Sequence, residues 1–396
     1  MIPRERRYGN TNGVFNIPTM KLITVEQMEA ATERLLETGR QVGADSWQQR
    51  VKNQTPHCKF GEEGICCRIC SMGPCRITPK APRGICGCDV HGIVARNYLR
   101  FTAGGSATHS DHGREICHTL YQTREGGNYT VKDPAKLKRI AGEWGVETEG
   151  KDIYDLAHEI AEMALMEYGK PFGTQRWLSR APEHTRKLWH DAGIEPRAID
   201  REVSTAMHMT HMGCSSLAEA LIRQSLRCGL SDGWGGSMMG TEFSDVLFGT
   251  PKPIDTTANI GVMEKDNVNI VVHGHDPSLS EMVVYYANDP EMIAYAKSMG
   301  AKGITVSGVC CTSNEVAMRH GIPMAGNFLN QENVVLTGSC EAIVVDVQCI
   351  FPALGPLSKC FHTKFITTSP IARMPDSEFI QFNAESAGEN AKAIVK

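Results

Sequence analysis

Asn267-Val268-Asn269-Ile270-Val271-Val272-His273-Gly274-His275-Asp276-Pro277 carries the architecture of the second half of the chain. The apolar, β-branched run over 267–273 predicts a buried strand, and Gly-His-Asp-Pro turns the chain out of it. Similar runs recur at 304–309, 333–337, 342–347 and 365–368, with helical patterns at 279–299 and 313–319 between several of them. Strand and helix in alternation predict a doubly wound, Rossmann-like parallel sheet over 251–396. Such sheets form their binding sites beyond the carboxyl ends of the strands. His273-Gly274-His275 ends one predicted strand, Cys310-Cys311-Thr312 the next, and Asp346-Val347-Gln348-Cys349 another. A single strand-end cysteine is commonly a small buried hydrophobe. Three such positions, each one or two strand–helix units from the next, instead favour one metal-binding crevice.

The preceding half, 1–250, reads as a helical domain, giving an α + α/β chain. Helix-period spacing at 24–52, 135–147, 151–168 and 183–194 supports this, and the Gly-rich Asp232-Gly233-Trp234-Gly235-Gly236-Ser237 closes it. The junction is expected near 250, within Phe248-Gly249-Thr250-Pro251-Lys252-Pro253. Residues 56–90, rich in Cys, Gly and Pro without a period, predict a loop wrapped around something. A net charge of -4 on 396 residues gives no case for nucleic acid or an anionic membrane as partner. No apolar run follows Met1–Arg7 and none is long enough to span a bilayer, so neither leader nor membrane span is expected. The expected compartment is the reducing cytoplasm. There, fifteen cysteines, seven of them between Cys58 and Cys88, favour metal over disulfides.

The loop reads Cys58-x7-Cys66-Cys67-x2-Cys70-x4-Cys75-x10-Cys86, with Cys88 two residues on. Cys67, Cys70, Cys75 and Cys86 offer the four thiolates of an iron–sulfur cubane; a zinc ribbon would want two similar pairs. Gly64, Gly73, Gly84 and Gly87 let main-chain N–H groups approach the sulfurs. Cys58 and Cys66 remain as two ligands: either a symmetric dimer completes their set, or they are packed thiols. Further on, Gly104-Gly105-Ser106 introduces a helix-like stretch bearing His109, His112 and His118. Three-residue steps wind these side chains in a slow spiral, close enough to pass protons between neighbours. Ordinary surface histidines, or an anion held at a glycine-introduced helix N-terminus, are the other readings.

Cys58-x7-Cys66-Cys67-Arg68-Ile69-Cys70, Gly73-Pro74-Cys75-Arg76 and Gly84-Ile85-Cys86-Gly87 resemble the anaerobic nickel-dependent carbon monoxide dehydrogenases. The likeness runs on through Phe243-Ser244-Asp245-Val246-Leu247-Phe248-Gly249-Thr250-Pro251 to the end. It implies a cluster D, [4Fe-4S] or [2Fe-2S], shared across a homodimer by Cys58 and Cys66, and a [4Fe-4S] cluster B on Cys67, Cys70, Cys75 and Cys86. It also implies a nickel–iron–sulfur cluster C, with His275 and Cys311 on its pendant iron and Cys349 on its cubane part. His273 and Cys310 are fallback ligands; Cys88, Cys340 and Cys360 match none. His109 matches the family's acid/base histidine, and His112, Glu115 and His118 the proton relay. The implied reaction interconverts CO and water with CO2, two protons and two electrons, which leave through B and D to a ferredoxin-like carrier. In acetogen-type relatives, which the N-terminal extension and the 135–175 helices resemble, CO passes to an acetyl-CoA synthase subunit.

There are departures. Glu115 stands where the family often has histidine, and Asp276 where it often has asparagine. The family also carries a third domain with three further cysteine ligands to C and an assisting lysine, whereas this sequence stops at Lys396 inside the helical pattern of 384–396. Two rivals follow: a non-catalytic electron-transfer or assembly subunit carrying B and D alone, and a hybrid-cluster protein (hydroxylamine reductase), which lacks the Cys58/Cys66 pair and the histidine run.

Overall fold

The computed structural model describes residues 25–396. Residues 1–24, with the Met1–Arg7 segment, most of the N-terminal extension and the first residue of the predicted 24–52 helix, lie outside the described residues. That predicted helix is two, α1 (Val25–Gln41) and α2 (Trp47–Asn53), parted at Gly43, whose φ of 75° only glycine adopts freely. Ser46 caps α2 by accepting from the Gln49 N–H. The cysteine loop contains a single turn of helix, α3 (Lys59–Glu62), and a two-stranded antiparallel ladder of β1 (Cys66–Cys67) and β2 (Cys75–Arg76).

The loop leads into α4 (Val90–Tyr121), the 32-residue axis of the helical half. Asp89 caps α4, accepting from the Gly92 N–H at 2.8 Å. Gly104-Gly105 therefore lies in mid-helix, which corrects the expected start at that point and removes the helix N-terminus on which the anion reading rested. Around α4 come α5 (Pro134–Glu143), α6 (Ile153–Gly169), α7 (Glu183–Asp191), α8 (Ile199–Thr210), α9 (Ala218–Ser231) and α10 (Ser237–Phe248). The expected 135–147 helix is shorter because α5 ends at Glu143, before Gly145 at φ 78°. Leu120, Leu137, Ile160, Trp177 and Phe243, all buried, form the core of this half.

The second half is a six-stranded parallel sheet of β3 (Val268–Gly274), β4 (Ile304–Val309), β5 (Met324–Gly326), β6 (Ala342–Val345), β7 (Lys364–Thr367) and β8 (Glu378–Phe379). Its order, β5-β4-β3-β6-β7-β8, starts at β3, runs outward through β4 and β5, and returns to the other side of β3. That is the doubly wound order, with its switch point between β3 and β6. Helices α11 (Pro277–Ala287), α12 (Pro290–Ser298), α13 (Cys310–His320), α14 (Gln331–Leu336), α15 (Leu354–Ser358) and α16 (Ala387–Val395) complete it. Separate cores cover the two faces, one around Ile270, Val272 and Val344, the other around Val271, Ile343 and Val345, so the strands are apolar at successive residues.

Two expectations are corrected here. The 279–299 pattern is two helices, split before Pro290, whose ring disfavours helix at Asp289; Asp289 instead caps α12. The run at 333–337 is helical: all six residues of α14 are buried, so it shows no face by which periodicity could tell helix from strand. Among the described residues, no helix is long and apolar enough to cross a membrane.

Candidate metal centre

The ladder sets the loop thiols. Neighbouring residues on a strand point to opposite faces, so Cys67 turns into an enclosed pocket and Cys66 away from it. Cys67, Cys70, Cys75 and Cys86 line that pocket together with Cys88, Ile93 and Arg96, whose guanidinium donates to the Ser215 carbonyl. The Ile85 N–H donates to the Cys75 Sγ at 3.4 Å. A Cβ on Gly84 would stand 3.6 Å from that sulfur, and one on Gly73 only 3.2 Å from the Cys75 nitrogen. Among the described residues no three His, Cys, Asp or Glu groups, in this loop or elsewhere, converge tightly enough to hold a single ion. Four thiols and an N–H donor around one narrow pocket fit an iron–sulfur cluster. Cys88, buried and with its thiol pushed up mainly by that burial, caps the pocket wall. Cys58 is exposed, and the Asn97 side chain of α4 fixes the Cys66 main chain by donating to the carbonyls of Gly64 and Cys66 at 2.8 and 2.9 Å. All fifteen cysteines are free.

The second constellation lies at the sheet's switch point. β4, β3 and β6 are adjacent and parallel, so the turns that follow them, bearing Cys311, His275 and Cys349, share one edge. Cys310, Gln348 and Cys349 all have positive φ (67°, 69° and 61°), a costly backbone for residues with side chains, of the kind that concentrates at functional sites. Cys311 lies in the first turn of α13, where the helix dipole favours a thiolate. Burial, followed by the charge of Cys349, pushes the Cys311 thiol up; the same causes push Cys310 up to about 12.

His275 is 8% exposed, its Nδ1 has no hydrogen-bond partner, and burial, then His109, holds its ring down at about 4. It is a neutral imidazole with a free nitrogen, the state in which histidine binds metal. His273, two residues earlier, is engaged elsewhere: its Nε2 meets the Gln331 side chain at 3.1 Å beneath the Cys349 turn.

Helix α4 brings the histidine run against this edge. The His109 and His112 rings stand 6.1 and 6.2 Å from that of His275. The approach depends on glycine: a Cβ on Gly113 would lie 2.4 Å from the Gly236 carbonyl, and one on Gly236 the same distance from the His109 carbonyl. Between α9 and α10 the chain makes a π-helical turn, Asp232–Gly236, the kind of helical irregularity often found at functional sites. It aims Asp232 Oδ1 at His109 Nδ1, 2.7 Å away. This bond raises the pKa of His109 against the effect of burial, whereas burial, then His275, drives half-buried His112 down to about 3. Glu115 follows, lining a cavity with His112 and Asp276, and burial and the Asp276 carboxyl raise it. His118, one step further, is exposed.

Asp232, Asp346 and Gln331 escaped the reading from sequence. A Gly-rich break carrying one acid inside a helical pattern was the available signal for Asp232. Nothing local marks the other two.

These features occur together in known proteins. The Prismane/CO dehydrogenase family profile matches residues 65–396. The chain belongs to that family. It is 49% identical over 94% of its length to carbon monoxide dehydrogenase 1 of Methanosarcina mazei, of which it covers 60%. It is 42% identical to the carbon monoxide dehydrogenase/acetyl-CoA synthase subunit beta of Moorella thermoacetica, covering 88% of this chain and 52% of that one. A nickel-free crystal structure of carbon monoxide dehydrogenase from Thermococcus sp. AM4 superposes with a TM-score of 0.89 at 48% identity, over 91% of this chain and 58% of that one. The chain thus spans about 60% of the length of the curated relatives it matches.

Proposed function

We propose that this chain serves the interconversion of CO and water with CO2, two protons and two electrons, in two domains that meet near residue 250. The placement of His275, Cys311 and Cys349 after three adjacent parallel strands, with His109 beside His275, supports this reading most. Those three residues would hold a nickel–iron–sulfur cluster, which supplies a Lewis acid and a redox centre when bound. With Nδ1 engaged by Asp232, His109 presents Nε2 to take up a proton, and His112, Glu115 and His118 carry protons outward. The pocket thiols Cys67, Cys70, Cys75 and Cys86 would hold a [4Fe-4S] cluster on the way to a ferredoxin-like acceptor in the cytoplasm. An acetyl-CoA synthase subunit is a further candidate partner, because the Moorella relative bears that name.

Cys58 and Cys66 point to a homodimer. Beside them α4 exposes an apolar stripe, Val94, Tyr98 and Phe101, at helical spacing, with Phe101 82% exposed and Val94 next to Gly64 of the loop. A second copy on this stripe would bring the missing pair of thiols to a cluster on the two-fold axis. Phe101→Asp is expected to turn the dimer into monomer in analytical ultracentrifugation and to lower iron content by the shared cluster; an unchanged dimer would refute this.

Metal analysis and a CO-dependent dye-reduction assay on anaerobically purified protein test the whole reading. Nickel together with CO oxidation is expected. Iron and sulfide without nickel would overturn it and leave an electron-transfer module.

A further inference from the structure

One side chain joins the turn bearing His275 to the turn bearing Cys349. Asp346, 4% exposed, directly follows β6 at the switch point. Its main-chain N–H extends the ladder by donating to the His273 carbonyl at 3.2 Å. Its carboxylate then reaches across: Oδ1 accepts the His275 N–H at 2.6 Å, and Oδ2 the Asp276 N–H at 2.9 Å. Oδ1 also accepts from Val347, within its own turn. Gly274 makes room: its φ is 129°, and a Cβ there would fall 1.8 Å from Asp346 Oδ1.

The Cys349 turn needs such support, because Gln348 and Cys349 both hold left-handed backbone. Its far side is held by fully buried Gln331, which donates to the Cys349 carbonyl at 2.9 Å and accepts from the Phe351 N–H at 2.7 Å. Its near side is held by Asp346, while Gln348 ties the turn to α4 by donating to the Thr108 carbonyl at 2.7 Å.

We propose that Asp346 is the positioning residue of this site, setting the separation of His275 from Cys349 through main-chain N–H groups of both turns. The inference rests on the reading of those two residues as metal ligands. The test compares nickel and iron per protomer, with electron paramagnetic resonance spectra, in anaerobically purified wild type, Asp346→Ala and Asp346→Asn. Asparagine keeps an oxygen for the His275 N–H but sets its own N–H against that of Asp276, so it should retain part of what alanine loses. Nickel is expected to fall roughly tenfold or more in Asp346→Ala, the usual cost of removing a group behind a metal ligand, while the loop-cluster signal stays at wild-type strength. If alanine does not accumulate as folded protein, nickel in the asparagine variant decides. Wild-type nickel and spectra in the folded variants would overturn the inference. Wild type without nickel would instead overturn the ligand reading beneath it, and the two failures are thereby distinct.

Discussion

Replacing Cys311 by alanine is expected to lower CO-dependent dye reduction about a thousandfold or more, beyond the roughly 10- to 100-fold that residues behind metal ligands cost. Cys311 is exposed at the start of α13, directly after the β4 strand end and next to the strained Cys310. Removing its sulfur takes a donor from the site without opening a core cavity, so the folded state should persist. Thermal unfolding of the variant should stay near wild type while nickel is lost. Iron held by the pocket of Cys67, Cys70, Cys75 and Cys86 should remain. Cys360→Ser is the control: that exposed thiol meets only the Pro356 carbonyl and lies outside the site. Full CO oxidation by the Cys311→Ala protein would sink the assignment. The sign of a pH effect also follows. Burial and the neighbouring Cys349 raise the Cys311 thiol, and metal binding requires the thiolate, so protons compete for this site and loading should weaken as pH falls.

Much of the candidate site was legible because the residues proposed to hold its metal stand where strand patterns end. The β3, β4, β6 and β7 runs show in the sequence because strands buried on both faces need successive apolar residues. β5 and β8, of three and two residues, are too short to carry a pattern, and α14 is buried on every side. The groups that hydrogen-bond to these residues were illegible for a different reason. Asp232 meets His109 across 123 residues and Asp346 meets His275 across 71, so neither pair leaves a local spacing to read. The mid-helix Gly104-Gly105 misled because glycine usually interrupts helices; here Asp89 had already capped α4 and packing carried it through.

Replacing His109 by alanine is expected to lower turnover about 10²- to 10⁴-fold, the range for a positioned general acid–base group. Asp232→Asn should act through the same histidine. The Asp232 bond to His109 Nδ1 raises the imidazole pKa, while burial alone would lower it. In the direction of CO oxidation His109 must be neutral to accept a proton, so the rate should climb as pH rises through its pKa. Asparagine takes away the negative partner, the pKa falls, and the climbing limb should move to lower pH. A smaller plateau rate should accompany this, because the amide no longer selects the tautomer that leaves Nε2 free. The measurement is the pH profile of kcat for wild type and Asp232→Asn, with nickel content checked in each. Equal nickel and an acid-shifted limb would place Asp232 behind His109 in proton transfer. A limb moved to higher pH, or a profile unchanged at full nickel, would exclude His109 as the group that takes the proton.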